Sequence, residues 1–275
     1  MARTFLITGV SSGFGRALAE VALNDGHTVA GTVRNGADQQ SFERSGRNAH
    51  ALVLDVTDTK AIAPAVADVE SRIGAIDVLV NNAGYGHEGI LEESSIDDLR
   101  RQFEVNVFGA VAMIQAVLPY MRKRRGGNIL NITSMGGIIT LPGLSYYHGS
   151  KFALEGISES LGKEVKDLGI KVTAVEPGGF RTDWAGRSMV RTARSIGDYD
   201  AMFEPIRKRR MELSGWQVGD PKKAAQAMLK VALSADPPAH LLLGSDAVRL
   251  VDEKMKSLQL EFDAWKSVSL STDVA

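Results

Sequence analysis

The stretch Thr8-Gly9-Val10-Ser11-Ser12-Gly13-Phe14-Gly15 decides the fold. It ends a short apolar run that starts at Arg3, and it leads directly into Arg16-Ala17-Leu18-Ala19-Glu20, a segment with amphipathic helical spacing. Glycines here permit a tight strand-to-helix turn and let the backbone approach a pyrophosphate, while the unpaired amides of the helix start attract its charge. A glycine triplet alone is weak evidence. The strand before it and the helix after it supply the context of a dinucleotide-binding turn. Gly9, Ser11, Ser12, Gly13, Phe14 and Gly15 are therefore the first expected cofactor contacts.

Outward from this turn, short apolar runs alternate with longer segments of helical period to the end of the chain. Seven strands are expected, at Arg3 to Thr8, His27 to Val33, Ala49 to Asp55, Ile76 to Asn81, Asn128 to Thr133, Lys171 to Glu176 and His240 to Gly244. Helices are expected to begin near Gly13, Asp38, Asp58, Ser95, Tyr146 and Pro221. This alternation predicts a Rossmann-type doubly wound α/β fold, with a seven-stranded parallel sheet covered by helices on both faces. Right-handed crossovers would place consecutive strands side by side. No repeat, low-complexity stretch or proline-rich linker divides the chain, so one domain over residues 1–275 is expected. Residues 178–219 form a long interval that calls for function or local helices. It mixes Trp184, Met189, Met202, Phe203 and Met211 with many charges, and reads either as a substrate-binding lid with an apolar underside or as a pair of surface helices.

Composition narrows the classes of partner. With 32 basic against 33 acidic residues the net charge is -1, so no global field draws nucleic acid or an anionic membrane. The clusters Arg122 to Arg125 and Arg207 to Arg210 read as solvated helix ends, the first before Gly126-Gly127, where cations complement a helix C-terminus and glycine ends it. The apolar run Phe5 to Ile7 is too short for a signal-peptide core or a membrane span. The chain has no cysteine, which excludes disulfides, thiolate metal sites and thiol catalysis and makes a reducing compartment, the cytoplasm, the default. The five histidines, His27, His50, His87, His148 and His240, show no ligand-like spacing, so no metal is expected.

The end of the second strand bears on the choice of nicotinamide cofactor because it reaches the adenosine ribose. It reads Thr32-Val33-Arg34-Asn35, with Val33 where an acid would hold both ribose hydroxyls of NAD(H). Arg34 can grip a 2'-phosphate in a bidentate fork, which favours NADP(H) over NAD(H) unless Asp38 competes for it.

Seven motifs then occur in one order: the Thr8 to Gly15 turn, Asp55, Asn81-Asn82-Ala83-Gly84, Asn106, Ser134, Tyr147-His148-Gly149-Ser150-Lys151, and Pro177-Gly178 followed by Thr182. In these motifs and their spacing the sequence resembles the short-chain dehydrogenases/reductases over nearly its whole length, with the stretch around the turn and Asn81 to Gly86 similar to the 17-beta-hydroxysteroid and retinol dehydrogenase branch. The residue chemistry supports that likeness independently. Tyr147 and Lys151 are four apart at a helix start and share a face. A phenol with an ordinary pKa of about 10 is a poor base, and a neighbouring ammonium would favour its ionised form. Spacing also selects Tyr147 over Tyr146, since four residues beyond Tyr146 stands Ser150.

The resemblance implies an NADP(H)-dependent oxidoreductase interconverting a carbonyl and an alcohol. In it, Tyr147 is the acid/base, Ser134 polarises the carbonyl, Lys151 lowers the tyrosine pKa and binds the nicotinamide ribose, and Asn106 anchors a relay water within a helix. Asp55 and Val56 would meet the adenine, Asn82, Ala83 and Gly84 would wall the cofactor, and Pro177, Gly178, Phe180 and Thr182 would meet the nicotinamide carboxamide. Tyr85, Ser134, Met135, Leu141, Tyr146 and Trp184 are the expected substrate contacts and suggest a lipophilic alcohol or ketone. Pairing into a homodimer or homotetramer through the helices of Asn106 and Tyr147 is also implied. The competing readings are an idle NADP(H)-binding redox sensor, which would lack the reactive tyrosine, and an epimerase or dehydratase, which chain length and turn spacing disfavour.

Overall fold

The computed structural model describes residues 1–274. Its main sheet holds β1 (Thr4–Ile7), β2 (Thr28–Val33), β3 (Ala49–Val53), β4 (Ile76–Asn81), β6 (Gly127–Ile132), β7 (Ile170–Pro177) and β9 (His240–Leu243). Two further short strands, β5 (Gly86–Glu88) and β8 (Met189–Arg191), pair with each other. The helices are α1 (Gly13–Asn24), α2 (Gly36–Glu43), α3 (Thr59–Asp68), α4 (Ile96–Phe103), α5 (Gly109–Arg124), α6 (Ser145–Val165), α7 (Asp200–Glu212), α8 (Pro221–Ala232) and α9 (Ser245–Leu270).

All seven expected strands are present and parallel, in the order β3-β2-β1-β4-β6-β7-β9. Consecutive strands are neighbours except at one point. The chain leaves β3 at one edge and re-enters as β4 on the far side of β1, which corrects the expectation of uniform adjacency. That reversal opens a crevice over the carboxyl ends of β1 and β4, where ligands bind in sheets of this kind.

Alternation along β1 shows how the sheet is buried. Phe5 and Ile7 join a core with Leu18, Ala19 and Ala22 of α1 and Ala225 and Met228 of α8. Leu6 points the other way, to Ile62 of α3 and Met113, Val117 and Met121 of α5. The stretch Ile96–Arg124 is long and apolar enough to cross a membrane by length and composition, and here that apolar face, at steps of four, lies on the sheet. The helix starts follow their caps: Asn35, Asp58, Ser95 and Asp220 each accept a first-turn amide. α5 ends as expected among Arg122 to Arg124, although Arg125, at φ 56°, takes the left-handed position anticipated for a glycine.

Residues 178–219 contain two 3-10 turns, β8 and α7 rather than two helices. Trp184 and Met189 pack inward and Phe203 is buried, whereas Met202 and Met211 are exposed and take no part in an apolar underside. The second basic cluster is solvated only in part, since Lys208 and Arg209 are exposed. Arg207 and Arg210 turn inward with Arg191 to one carboxylate, Glu88, which is 1% exposed. Arg194 likewise meets Glu93 at 2.8 Å. Burying one acid requires cations and donors around it, and these guanidiniums tie the segment to β5.

Candidate active site

A cleft of about 1030 Å³ follows the crevice between β1 and β4 and continues beneath residues 182–190. At its nucleotide end, Gly9 and Gly13 adopt φ 74° and 60°, where a side chain would be strained. The amide of Gly9 donates to Thr32 Oγ1 at 3.0 Å, and Asn82 Nδ2 donates to the carbonyls of Thr8 and Gly9 at 2.9 and 3.0 Å. Gly15 sits behind the turn, where a Cβ would overlap the Gly9 carbonyl oxygen and the Asn82 amide. Ser12 caps α1 without a side-chain bond, so first-turn amides remain free to meet an anion.

The expected contacts Gly9, Ser11, Ser12, Gly13, Phe14, Arg34, Asp55, Val56, Asn82, Ala83, Gly84, Pro177, Gly178, Phe180 and Thr182 all line the cleft. Arg34 is exposed beside it and has no ion-pair partner among the described residues. Asp38 does not compete, because its carboxylate accepts from Asn35 Nδ2 at 2.9 Å and its amide donates back to Asn35 Oδ1. Asp55 accepts from the amide and hydroxyl of Thr57 at 2.9 and 2.8 Å, which fixes its direction. The cleft therefore offers free helix amides, close backbone and one unpaired guanidinium, a donor set that fits a dinucleotide with a 2'-phosphate.

Farther along the same wall stand Ser134, Tyr147 and Lys151. Ser134 follows β6, its Oγ accepting the Gly136 amide at 2.9 Å. The phenol of Tyr147 lies under Trp184, with ring centroids 5.0 Å apart. Lys151 Nζ donates to the Ile132 carbonyl at 2.7 Å and stands 5.8 Å from the Tyr147 ring centroid. Burial decides both acidities: it pushes the phenol up to about 12, against a lowering hydrogen bond with Ser134, and pushes the ammonium down to about 8. This corrects the expectation that Lys151 depresses the phenol. The amine is held by a carbonyl away from the hydroxyl, and desolvation outweighs its effect.

Three expected site residues lie off the cleft wall. Tyr146 donates to the Ser94 carbonyl at 2.9 Å and stacks on His87, so it is a core residue and not a substrate contact. Gly15 supports the turn from behind. Asn106, 1% exposed, occupies a π-turn joining α4 to α5; its Nδ2 donates to the Tyr85 carbonyl and Ser150 Oγ, both at 3.1 Å, and its Oδ1 accepts the Tyr85 amide. That amide is fully engaged, so Asn106 acts through the segment it positions rather than by its side chain holding water. Tyr85, Met135, Leu141 and Trp184 line the cleft as expected.

Sequence reasoning missed His148 and Arg210, which also line the cleft. His148 Nδ1 bonds the Gly136 carbonyl at 2.7 Å while Nε2 accepts the Leu141 amide at 2.9 Å, pinning the loop after Ser134; burial lowers its pKa. Its place directly after Tyr147 was the available signal.

Behind Lys151, one helical turn on, Glu155 meets Glu176 and His240. His240 Nδ1 lies 3.1 Å from Glu155 and 2.7 Å from Glu176, a grouping that linear spacing did not reveal. Burial, then the neighbouring Glu155, raises Glu176 to about 8. A carboxyl raised on folding contributes stability below its ordinary pKa and loses it as pH climbs through the folded value. Glu176→Gln should therefore gain on the parent between about pH 5 and 8, by about 2 °C or more in Tm; a difference in Tm that stays flat across that range contradicts the raised Glu176 carboxyl.

With the geometry set out, comparison places it among known proteins. The family described as short chain dehydrogenase matches residues 3–191. A 3-ketodihydrosphingosine reductase of Bacteroides thetaiotaomicron is 39% identical over 255 residues, covering 92% of this chain and 91% of its own. A crystal structure of a short-chain dehydrogenase from Streptomyces avermitilis superposes with a TM-score of 0.92 at 39% identity, over 100% of this chain and 99% of that one. The closed form of a serine dehydrogenase complexed with NADP+ gives 0.75 at 26% identity, over 87% and 94%.

Proposed function

The chain belongs to the short-chain dehydrogenase family, and from that premise we propose that it is an NADP(H)-dependent oxidoreductase interconverting a carbonyl and an alcohol on a lipophilic small molecule, with Tyr147 as acid/base. One observation carries the proposal: Ser134, Tyr147 and Lys151 share a single cleft with the glycine turn and the unpaired Arg34. A bound nicotinamide supplies or accepts the hydride. In reduction the protonated Tyr147 phenol gives its proton to the oxygen of the carbonyl, and Ser134 Oγ–H steadies the charge that grows there. The phenolate then regains a proton from water, and Lys151, ionised below about pH 8, would hold the nicotinamide ribose. Asn106 positions this wall, holding Tyr85 to α6.

The pocket beyond the phenol supports the lipophilic assignment. Leu141, Leu144, Trp184, Val190 and Leu213 line it, and the reductase relative is named for 3-ketodihydrosphingosine. Pairing of chains through α5 and α6, with Phe108 just before α5 and Phe152 of α6 both exposed, belongs to the same proposal.

NADPH oxidation with a panel of hydrophobic ketones and aldehydes tests the activity, and turnover of small charged sugars alone would overturn the substrate assignment. The cofactor preference rests on Arg34. Arg34→Ala should weaken NADPH binding by about 10–100-fold, the loss of a bidentate charged contact, with NADH nearly unaffected. Equal weakening of both nucleotides would remove Arg34 from that role.

A further inference from the structure

α9 leaves the body of the protein after Val251. Ala247 and Val251 are its buried residues, and from Gln259 to Leu270 every residue is exposed. A helix surrounded by water is marginal by itself, yet this one shows Met255, Phe262 and Trp265 at 51%, 63% and 63% exposure, with Leu258 half-buried among them. These four recur at steps of three, four and three. Such a narrow seam is what one helix offers another, whereas a helix laid on a core presents a broader stripe. Leu260, Val268 and Leu270 lie off the line.

We infer that this seam is an interface between two copies of the chain, packed as an antiparallel helix pair. Charge argues against a membrane as the occupant. From Asp252 to Leu270 the acids Asp252, Glu253, Glu261 and Asp263 outnumber Lys254, Lys256 and Lys266, so the basic excess of an interfacial helix is missing. Direction follows from Val251. It lies on the same line but is covered by the body of its own chain, so a parallel partner would have to bring its own body to the place already filled.

Turned about a two-fold axis near Leu260, the copies set Met255 opposite Trp265 and Leu258 opposite Phe262, each large side chain meeting a smaller one. Asp252 then faces the second copy's Lys266 at both ends. Glu261, near the axis, faces its own counterpart and is the one like-charge contact. The four seam side chains offer about 450 Å² per copy, so with their flanks the pair covers roughly 1,000 Å², the level at which specific association begins. The contact is isologous and closes at two copies.

Light scattering at micromolar concentration tests the pairing. Phe262→Glu/Trp265→Glu, both on exposed helix, should halve the mass while leaving the circular dichroism and NADPH affinity of the parent. Glu261→Gln should tighten association by about 2–5-fold, as relief of one like-charge contact. Because the chain has no cysteine, single Leu258→Cys and Phe262→Cys variants can be mixed and oxidised: the mixture should cross-link, and neither variant alone should do so comparably. A mass unchanged by the double substitution, or self-cross-linking of Leu258→Cys as efficient as the mixture, would overturn the antiparallel pair. So would capture of the parent by phosphatidylcholine–phosphatidylserine vesicles with no self-association in solution.

Discussion

Tyr147→Phe is expected to lower kcat by about 10²–10⁴-fold, the usual contribution of a positioned proton donor, while the Kd for NADPH stays within about twofold. The substitution removes one oxygen and leaves the ring against Trp184, so the wall keeps its shape. Steady-state kinetics together with nucleotide fluorescence titration would separate the two quantities. Residual turnover above about a tenth of the parent would remove the phenol from the chemistry. The pH profile carries a second signature. With the phenol up at about 12 and the ammonium down at about 8, reduction has its donor protonated at neutrality, and its rate should fall above about pH 8 as Lys151 loses its charge. The sign follows from the lowered amine: its ionised form is present below that value and lost above it.

Gly15→Ala is the second large effect, and it acts on structure. The added methyl would overlap the Gly9 carbonyl and the Asn82 amide that straps the turn. Neither neighbour can yield cheaply, since one is backbone and the other is fixed to Thr8 and Gly9 by paired bonds. Overpacking of this kind costs about 1–3 kcal/mol, so Tm should drop by about 3–8 °C and NADPH affinity should fall by at least about 10-fold. Gly36→Ala is the control, because its Cβ meets nothing within 4 Å and its φ is not positive. Comparable losses in both variants would show that the close approach at Gly15 is not what matters.

How much of this was legible beforehand depends on the range of each signal. The strands of the main sheet announce themselves as apolar runs, and the turn announces itself by glycines between a strand and a helix, because both patterns are local. The four-residue step from Tyr147 to Lys151 likewise survives into the structure as a shared face. The three-residue strands β5 and β8 left no such trace, being too short for alternation to register. Tyr146 could be excluded as the acid by spacing, but its burial against Ser94 and His87 depends on elements 52 and 59 residues away. Arg207 and Arg210 looked like surface charge because their partner, Glu88, is far off in the sequence. Acidity was the least legible of all: the amine that should have depressed the phenol is itself desolvated and tied to Ile132, a fact of three-dimensional packing.

The way Glu88 and Glu93 hold residues 191–210 has an implication for diversification. The segment that follows the cleft roof is anchored by Glu88 on β5 and Glu93 just beyond it, whereas the glycine turn and Arg34 follow β1 and β2. New linings can therefore be tried at residues 182–190, ahead of the anchoring arginines, and at Leu213 and Gln217 beyond them, without rebuilding the glycine turn. A chain organised this way can change what it acts on while keeping its source of reducing power.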